Sequence, residues 1–173
     1  MEQRELKISE IVVDKGYLMR DGIDKKTVEA YKENLENIVK AYPIIVFDTA
    51  NGLLLADGFH RVSAARQLNW ETISASIRKG SPQDAFAYAC VANLTHGRPL
   101  TRKERKKAIC EYIKIKPKLS NATLGNDVGV SKEAIRRYRQ ELEAKGEIEP
   151  QGKHQGLDGK EYTLLGGTID TIF

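Results

Sequence analysis

The sequence predicts an α+β protein: a small mixed α/β domain over residues 1–80, an all-helical domain over 81–146 with a helix-turn-helix at 121–145, and an irregular tail over 147–173. Three observations predict it. Strand-like runs and helix-like spacing are mixed only in the first eighty residues, whereas from Ser81 onward about sixty residues carry helical spacing and helix caps without a strand signal. Gly129 separates two short helical stretches at the spacing of a tight interhelical turn. The charge is also local: residues 98–150 hold 14 Lys and Arg against 8 Asp and Glu, whereas residues 1–97 hold 12 against 13.

Taken in order, Leu6 to Ser9 reads as a short strand. Asp24 to Tyr42 places Val28, Tyr31, Leu35, Ile38 and Tyr42 at steps of three and four, one apolar stripe on a single helix capped by Asp24. Ile44 to Phe47 and Leu53 to Ala56 flank Ala50-Asn51-Gly52 and read as a β-hairpin. Gly58 ends it. Arg61 to Leu68 is helical, and Ile73, Ala75 and Ile77 alternate as in a half-buried strand.

Ser81-Pro82 opens a helix that runs to about Leu94, with Ser as cap and Pro at the first helical position. Thr101 and Glu104 form a capping-box pattern for a helix lasting to about Ile115. A linker over Lys116 to Leu119 contains Pro117, and helices follow at about Asn121 to Val128 and Ser131 to Lys145. The tail beyond Gly146 is glycine-rich and is expected to be irregular.

The 40% apolar content of 173 residues suffices for a buried core. No stretch approaches the roughly 18 apolar residues that a bilayer span needs, so no membrane partner is expected and the location is read as cytoplasmic. Cys90 and Cys110 lie in apolar helical patterns. With no CxxC and only His60, His96 and His154, no metal site is read.

Ala122 to Arg139 has the pattern of a helix-turn-helix. Leu124 and Val128 form the apolar face of the first helix, Gly125 is small where the helices approach, Gly129 permits a left-handed turn residue, Val130 plugs the corner, and Ile135 and Tyr138 pack back. Ser131 caps the second helix, whose first turns would bring Ser131, Lys132, Glu133, Arg136 and Arg137 to a duplex, with Arg139 adding charge. The block before it, Arg98 to Lys118, holds nine basic residues against two acidic ones. Arg102, Lys103 and Lys106 there are read as phosphate contacts. The alternative is a structural helical hairpin with a solvated basic face.

Asp57 to Arg61 stands between a strand and a helix, where backbone N–H groups, His60 and Arg61 would converge on a phosphate. Alternatively Arg61 simply pairs with a carboxylate. The run Asp57-Gly-Phe-His-Arg-Val-Ser-Ala-Ala65, the stretch Ala92 to Thr101 and the helix-turn-helix, in this order, resemble the ParB family over roughly residues 6–145. The resemblance implies a ParB/sulfiredoxin-like N-terminal domain and a nucleotide or phosphate pocket at Gly58, His60, Arg61 and Asn93, with His96 and Arg98 nearby in sequence. It also implies a helix-turn-helix that reads duplex DNA.

The related sulfiredoxins place a reactive Cys where Phe59 stands, so their chemistry lacks its nucleophile here. Ala92 occupies the acidic position of the family's Glu-Asn motif, which argues against a magnesium-dependent CTP switch; the cofactor is left open, with a nucleotide such as CTP as the candidate that the resemblance implies. The short tail resembles ParB-domain proteins of plasmids, phages and mobile elements. The expected function is therefore sequence-selective duplex binding in partition or transcriptional regulation, as a homodimer, with no catalytic residues. A nucleotide-dependent enzyme, such as a CTPase or a ParB-domain nuclease, and a protein-interaction adaptor are the alternatives.

Overall fold

The structure is a computed structural model that describes residues 2–95, 99–150, 152–156 and 158–163. The chain divides into two compact units between Ala108 and Ile109.

The first unit is built on five strands: β1 (Glu2–Lys7), β2 (Ile11–Val12), β3 (Ile44–Thr49), β4 (Gly52–Asp57) and β5 (Thr72–Lys79). They lie in the order β1-β5-β3-β4-β2. β1 with β5 and β3 with β4 pair antiparallel, whereas β3 with β5 and β4 with β2 pair parallel. The hairpin read around Asn51-Gly52 is present, with Gly52 at a φ of 96°.

Alternation along β3 and β4 gives the sheet two apolar faces. Val46 and Leu55 join Leu6, Val28, Leu35, Val62 and Ile73 in one buried cluster. Phe47, Leu54 and Ala56 join Ala85 in another.

The helices covering the first face are α1 (Lys25–Lys32), α2 (Leu35–Ala41) and α3 (Phe59–Gln67). The single helix expected over Asp24 to Tyr42 is thus two. Asn34 takes φ −144° and ψ 33°, and its Oδ1 accepts from Asn37 Nδ2 at 2.6 Å. These angles lie outside the helical region, so the backbone leaves the first helix there and the second starts at Leu35. The break rotates the stripe, so Val28, Leu35 and Val39 are buried while Tyr42 is left 71% exposed. Asp24 does cap α1, its Oδ1 accepting from Thr27 N–H at 2.8 Å.

The second face is covered by α4 (Pro82–Thr95), which packs on β4 and β3. The sequence grouped residues 81–95 with the helical domain because they carry no strand signal. Ala85, packed against Phe47, Leu54 and Ala56, instead attaches this helix to the sheet.

Helix α5 (Arg102–Ile115) crosses the division between units. Its capping box forms: Glu104 Oε2 accepts from Thr101 N–H at 2.8 Å and Thr101 Oγ1 accepts from Glu104 N–H at 3.2 Å. Glu104 Oε1 also accepts from Asp21 N–H at 3.1 Å, so one carboxylate secures two segments distant in sequence. In the second unit α6 (Asn121–Val128) and α7 (Lys132–Ala144) are followed by a two-stranded ribbon, β6 (Lys153–Gln155) and β7 (Glu161–Thr163). The tail expected to be irregular therefore contains a hairpin.

The hydrogen bonds from Thr101 and Asp21 hold the Glu104 carboxyl below its ordinary value of 4.5. A depressed carboxylate contributes stability above its unfolded-state value and loses that contribution as pH falls through the folded one. Glu104→Gln is expected to cost about 1 kcal/mol at neutral pH in urea unfolding. The gap from the parent should shrink as the pH is lowered below 4.5.

Candidate nucleic-acid interface

Two serines begin the two helices of the second unit. Ser120 Oγ accepts from Thr123 N–H at 3.0 Å to cap α6, and Ser131 Oγ accepts from Ala134 N–H at 3.2 Å to cap α7. Between them Gly129 adopts a φ of 68°, a left-handed conformation that costs a side-chain-bearing residue strain. Val130 N–H then returns to the Gly125 carbonyl at 3.0 Å. A Cβ on Gly125 would lie 2.7 Å from the Val130 carbonyl oxygen, so the closeness of the turn requires glycine there as well.

This turn sets which way α7 rolls. Leu124, Val128, Ile135 and Leu142 are buried, while Ser131, Lys132, Glu133, Arg136 and Arg137 are exposed. Tyr138 is half-buried, with the Arg137 guanidinium 5.4 Å from its ring centroid. The exposed face carries three positive charges and one negative at the N-terminal turns of α7.

Arg139 does not belong to that face. It is 4% exposed, and its guanidinium donates to Asn121 Oδ1, the Pro117 carbonyl and the Leu119 carbonyl, each at 2.9 Å. Sequence reasoning counted it with Arg136 and Arg137 because all three are arginines within four residues. Helical rotation turns the third one inward. Burial pushes its guanidinium below the usual range, with Glu143 opposing.

Of the basic residues before the motif, Arg102 and Lys103 are exposed and Lys106 is half-buried, all three in the first unit's part of α5. Lys114, in the second unit, pairs with Glu111 at 3.1 Å and with Glu147, and these carboxylates raise its ammonium above the ordinary value. Part of the basic block is therefore structural. Tyr112, which the sequence did not single out, donates its hydroxyl to Asp127 Oδ2 at 2.8 Å and fastens α6.

Gly58, His60, Arg61 and Asn93 converge in the first unit, where they line a groove of about 640 Å³ together with Tyr31, Tyr42, Tyr88 and Arg20. Gly58 has a φ of 104°, and a Cβ there would fall 2.6 Å from Ile44 Cγ2. The donors, however, are engaged. Arg61 Nη2 donates to Asp57 Oδ2 at 2.7 Å, and Nη1 donates to the carbonyls of Tyr42 and, at 3.0 Å, Pro43. His60 Nε2 accepts from Asp24 N–H at 3.1 Å, and Asn93 Nδ2 donates to the Ala89 carbonyl at 2.8 Å.

A phosphate that took the Arg61 Nη2 donor would therefore compete with Asp57. His96 and Arg98 lie outside the described residues. The aromatic wall was not read from the sequence, where Tyr31 and Tyr42 fell on the stripe of one helix and Tyr88 lies some forty-five residues further on. Burial raises the Tyr88 phenol, beside which the Arg78 guanidinium stands 4.4 Å from the ring centroid. Among the described residues no three His, Cys, Asp or Glu side chains are grouped to hold a metal ion, and no helix is long and apolar enough to cross a membrane.

No protein-family model matches the chain. The chain is similar to the C-terminally truncated chromosome-partitioning protein ParB of Caulobacter crescentus complexed to the centromeric parS site. The match has a TM-score of 0.59 and 15% identity over 84% of this chain and 79% of that one.

The fold is ParB/sulfiredoxin-like, followed by a helix-turn-helix region.

In sequence the chain is 30% identical over 143 residues to the transcriptional regulator NovG of Streptomyces niveus, a match covering 83% of this chain and 42% of that protein. It is 29% identical over 96 residues to the "Streptomycin biosynthesis operon possible regulatory protein" of Streptomyces griseus, covering 56% of this chain and 27% of that one. The chain thus spans less than half the length of these curated relatives. The ParB/sulfiredoxin-like unit accounts for the groove, and the helix-turn-helix region for the exposed face of α7.

Arg139→Ala would leave two carbonyls and an amide oxygen without their donor. It is expected to destabilise the second unit by about 3 kcal/mol, whereas Arg136→Ala on the exposed face should shift stability by no more than about 0.5 kcal/mol. Thermal and urea unfolding of the two variants would check this.

Proposed function

We propose that this chain is a sequence-selective duplex-DNA-binding protein acting in transcriptional control. Helix α7 enters the major groove, bringing Ser131, Lys132, Glu133, Arg136 and Arg137 to bases and phosphates, while Arg102, Lys103 and Lys106 bind the phosphate backbone. The observation that carries this reading is the separation of roles along α7: Lys132, Arg136 and Arg137 face outward from a helix whose other side is fixed by Ile135, Leu142 and the buried Arg139.

Transcription is favoured over partition by the sequence relatives, a transcriptional regulator and a protein named for regulating a biosynthetic operon. The likeness to a partition protein bound to its centromeric site supports DNA as the partner and rests on fold alone. A homodimer working in the cytoplasm completes the proposal, since one helix-turn-helix reads too few base pairs for strong selectivity. The groove of the ParB/sulfiredoxin-like unit is the place at which a small ligand, CTP among those to test, would act on it. Arg61 of the groove is held by Asp57.

Fluorescence anisotropy of duplexes from the parent genome across a salt series tests the reading. Tight binding to some fragments, weakening steeply with salt, supports it, and absent or salt-insensitive binding overturns it in favour of an adaptor. Arg136→Ala or Arg137→Ala should weaken binding to the preferred fragment by about 1–3 kcal/mol and relax selectivity. Arg61→Ala should leave affinity for a short duplex within about twofold, because the groove is not the DNA surface.

A further inference from the structure

The ribbon that follows α7 has three residues in each strand. A two-stranded hairpin of this size is at best marginal alone. Main-chain pairing to residues 118–120 supports it: Gln155 N–H donates to the Lys118 carbonyl at 2.7 Å, and Ser120 N–H donates to the Gln155 carbonyl at 2.9 Å. Leu119 and Gln155 form a parallel bridge between these bonds. Arg139 grips the same stretch from α7, through the carbonyls of Pro117 and Leu119 and the side chain of Asn121. One piece of backbone, residues 117–121, therefore positions both α7 and the ribbon.

The tip of the ribbon is internally tied. Gly156 N–H donates to the Lys160 carbonyl at 2.9 Å, and Gln155 Nε2 donates to the Gly159 carbonyl at 3.0 Å. Asp158 accepts from the Tyr162 hydroxyl at 2.7 Å and from Lys160 N–H at 3.1 Å, so both its oxygens are engaged by donors of the tip itself. A Cβ on Gly156 would meet the Tyr162 ring at 2.7 Å, which places that ring against the turn. Lys118, Lys153 and Lys160, by contrast, are exposed and form no ion pair among the described residues.

We propose that this ribbon is a second DNA-contacting element, which lays Lys118, Lys153 and Lys160 on duplex phosphates beside the groove that α7 enters. The inference rests on the DNA reading of α7. Its lysines are point charges without a fixed fork, suited to phosphate and not to base edges, so the ribbon contributes affinity and register but no sequence preference. Because residues 117–121 are bonded to both the ribbon and α7, the two elements would engage the duplex together.

The test compares the full chain with Lys153→Ala/Lys160→Ala, the charge-retaining Lys153→Arg/Lys160→Arg, and Lys25→Ala/Lys26→Ala, which removes equal charge from α1. Each is titrated with one short random-sequence duplex over a salt series. The slope of log K against log salt should fall by about 0.9 for each phosphate that is no longer neutralised, hence by about 1.8 for the ribbon double variant. The arginine variant should keep the parental slope, and the α1 variant should change it by less than the ribbon variant. A parental slope in the ribbon alanine variant, or an equal fall in the α1 variant, overturns the ribbon while parental binding still upholds the α7 reading. Absence of duplex binding by the parent overturns both.

Discussion

The arrangement of the second unit depends on one buried guanidinium. Taking a charge out of water is costly unless hydrogen bonds replace the lost hydration, and each of the three guanidinium nitrogens of Arg139 donates to a protein acceptor, two carbonyls and an amide oxygen, at 2.9 Å. These acceptors lie between Pro117 and Asn121, a stretch whose Lys118 carbonyl accepts from Gln155 N–H while its Pro117 and Leu119 carbonyls accept from the guanidinium. The arginine thus holds this stretch from one side while the ribbon pairs with it at Lys118 and Ser120. It fixes the stretch to α7, and through it the cap of α6 and the docking of the hairpin.

Arg61 plays a comparable part in the first unit. It lies one turn into α3, bonded back to Asp57 and to the carbonyls at Tyr42 and Pro43, and so it joins the end of β4 to the entry of β3. Both arginines fall inside motifs that invite a functional reading, and both are engaged within the fold. Lys132, Arg136 and Arg137 on α7, Arg102 and Lys103 on α5, and Lys118, Lys153 and Lys160 at the ribbon are, by contrast, exposed.

Much of this fold was legible in residue order. The hairpin at Asn51-Gly52, the cap at Asp24, the capping box at Thr101 and Glu104 and the glycine turn at Gly129 all arise from interactions within a few residues, so local pattern sufficed. The single long helix failed at Asn34, because apolar spacing reports which faces are buried and not whether the backbone continues. The ribbon was missed because its order comes from pairing with residues 118–120, some thirty-five residues upstream, a bond that leaves no local trace.

The candidate site divides along the same line. The sequence by itself determined that a helix-turn-helix exists, that its turn requires Gly125 and Gly129, and that positive charge gathers around it, since these follow from composition and from steps of three and four. Only the tertiary structure decided which arginine faces outward. Helical rotation turns Arg139 toward the interior, but a charge is tolerated there only because residues 117–121 present acceptors, and those were brought within reach by the folding of a different segment. In the same way the sequence placed Gly58 at a strand-to-helix turn, while the approach of Tyr42, Pro43 and Asp57 decided that Arg61 would be bonded to the fold.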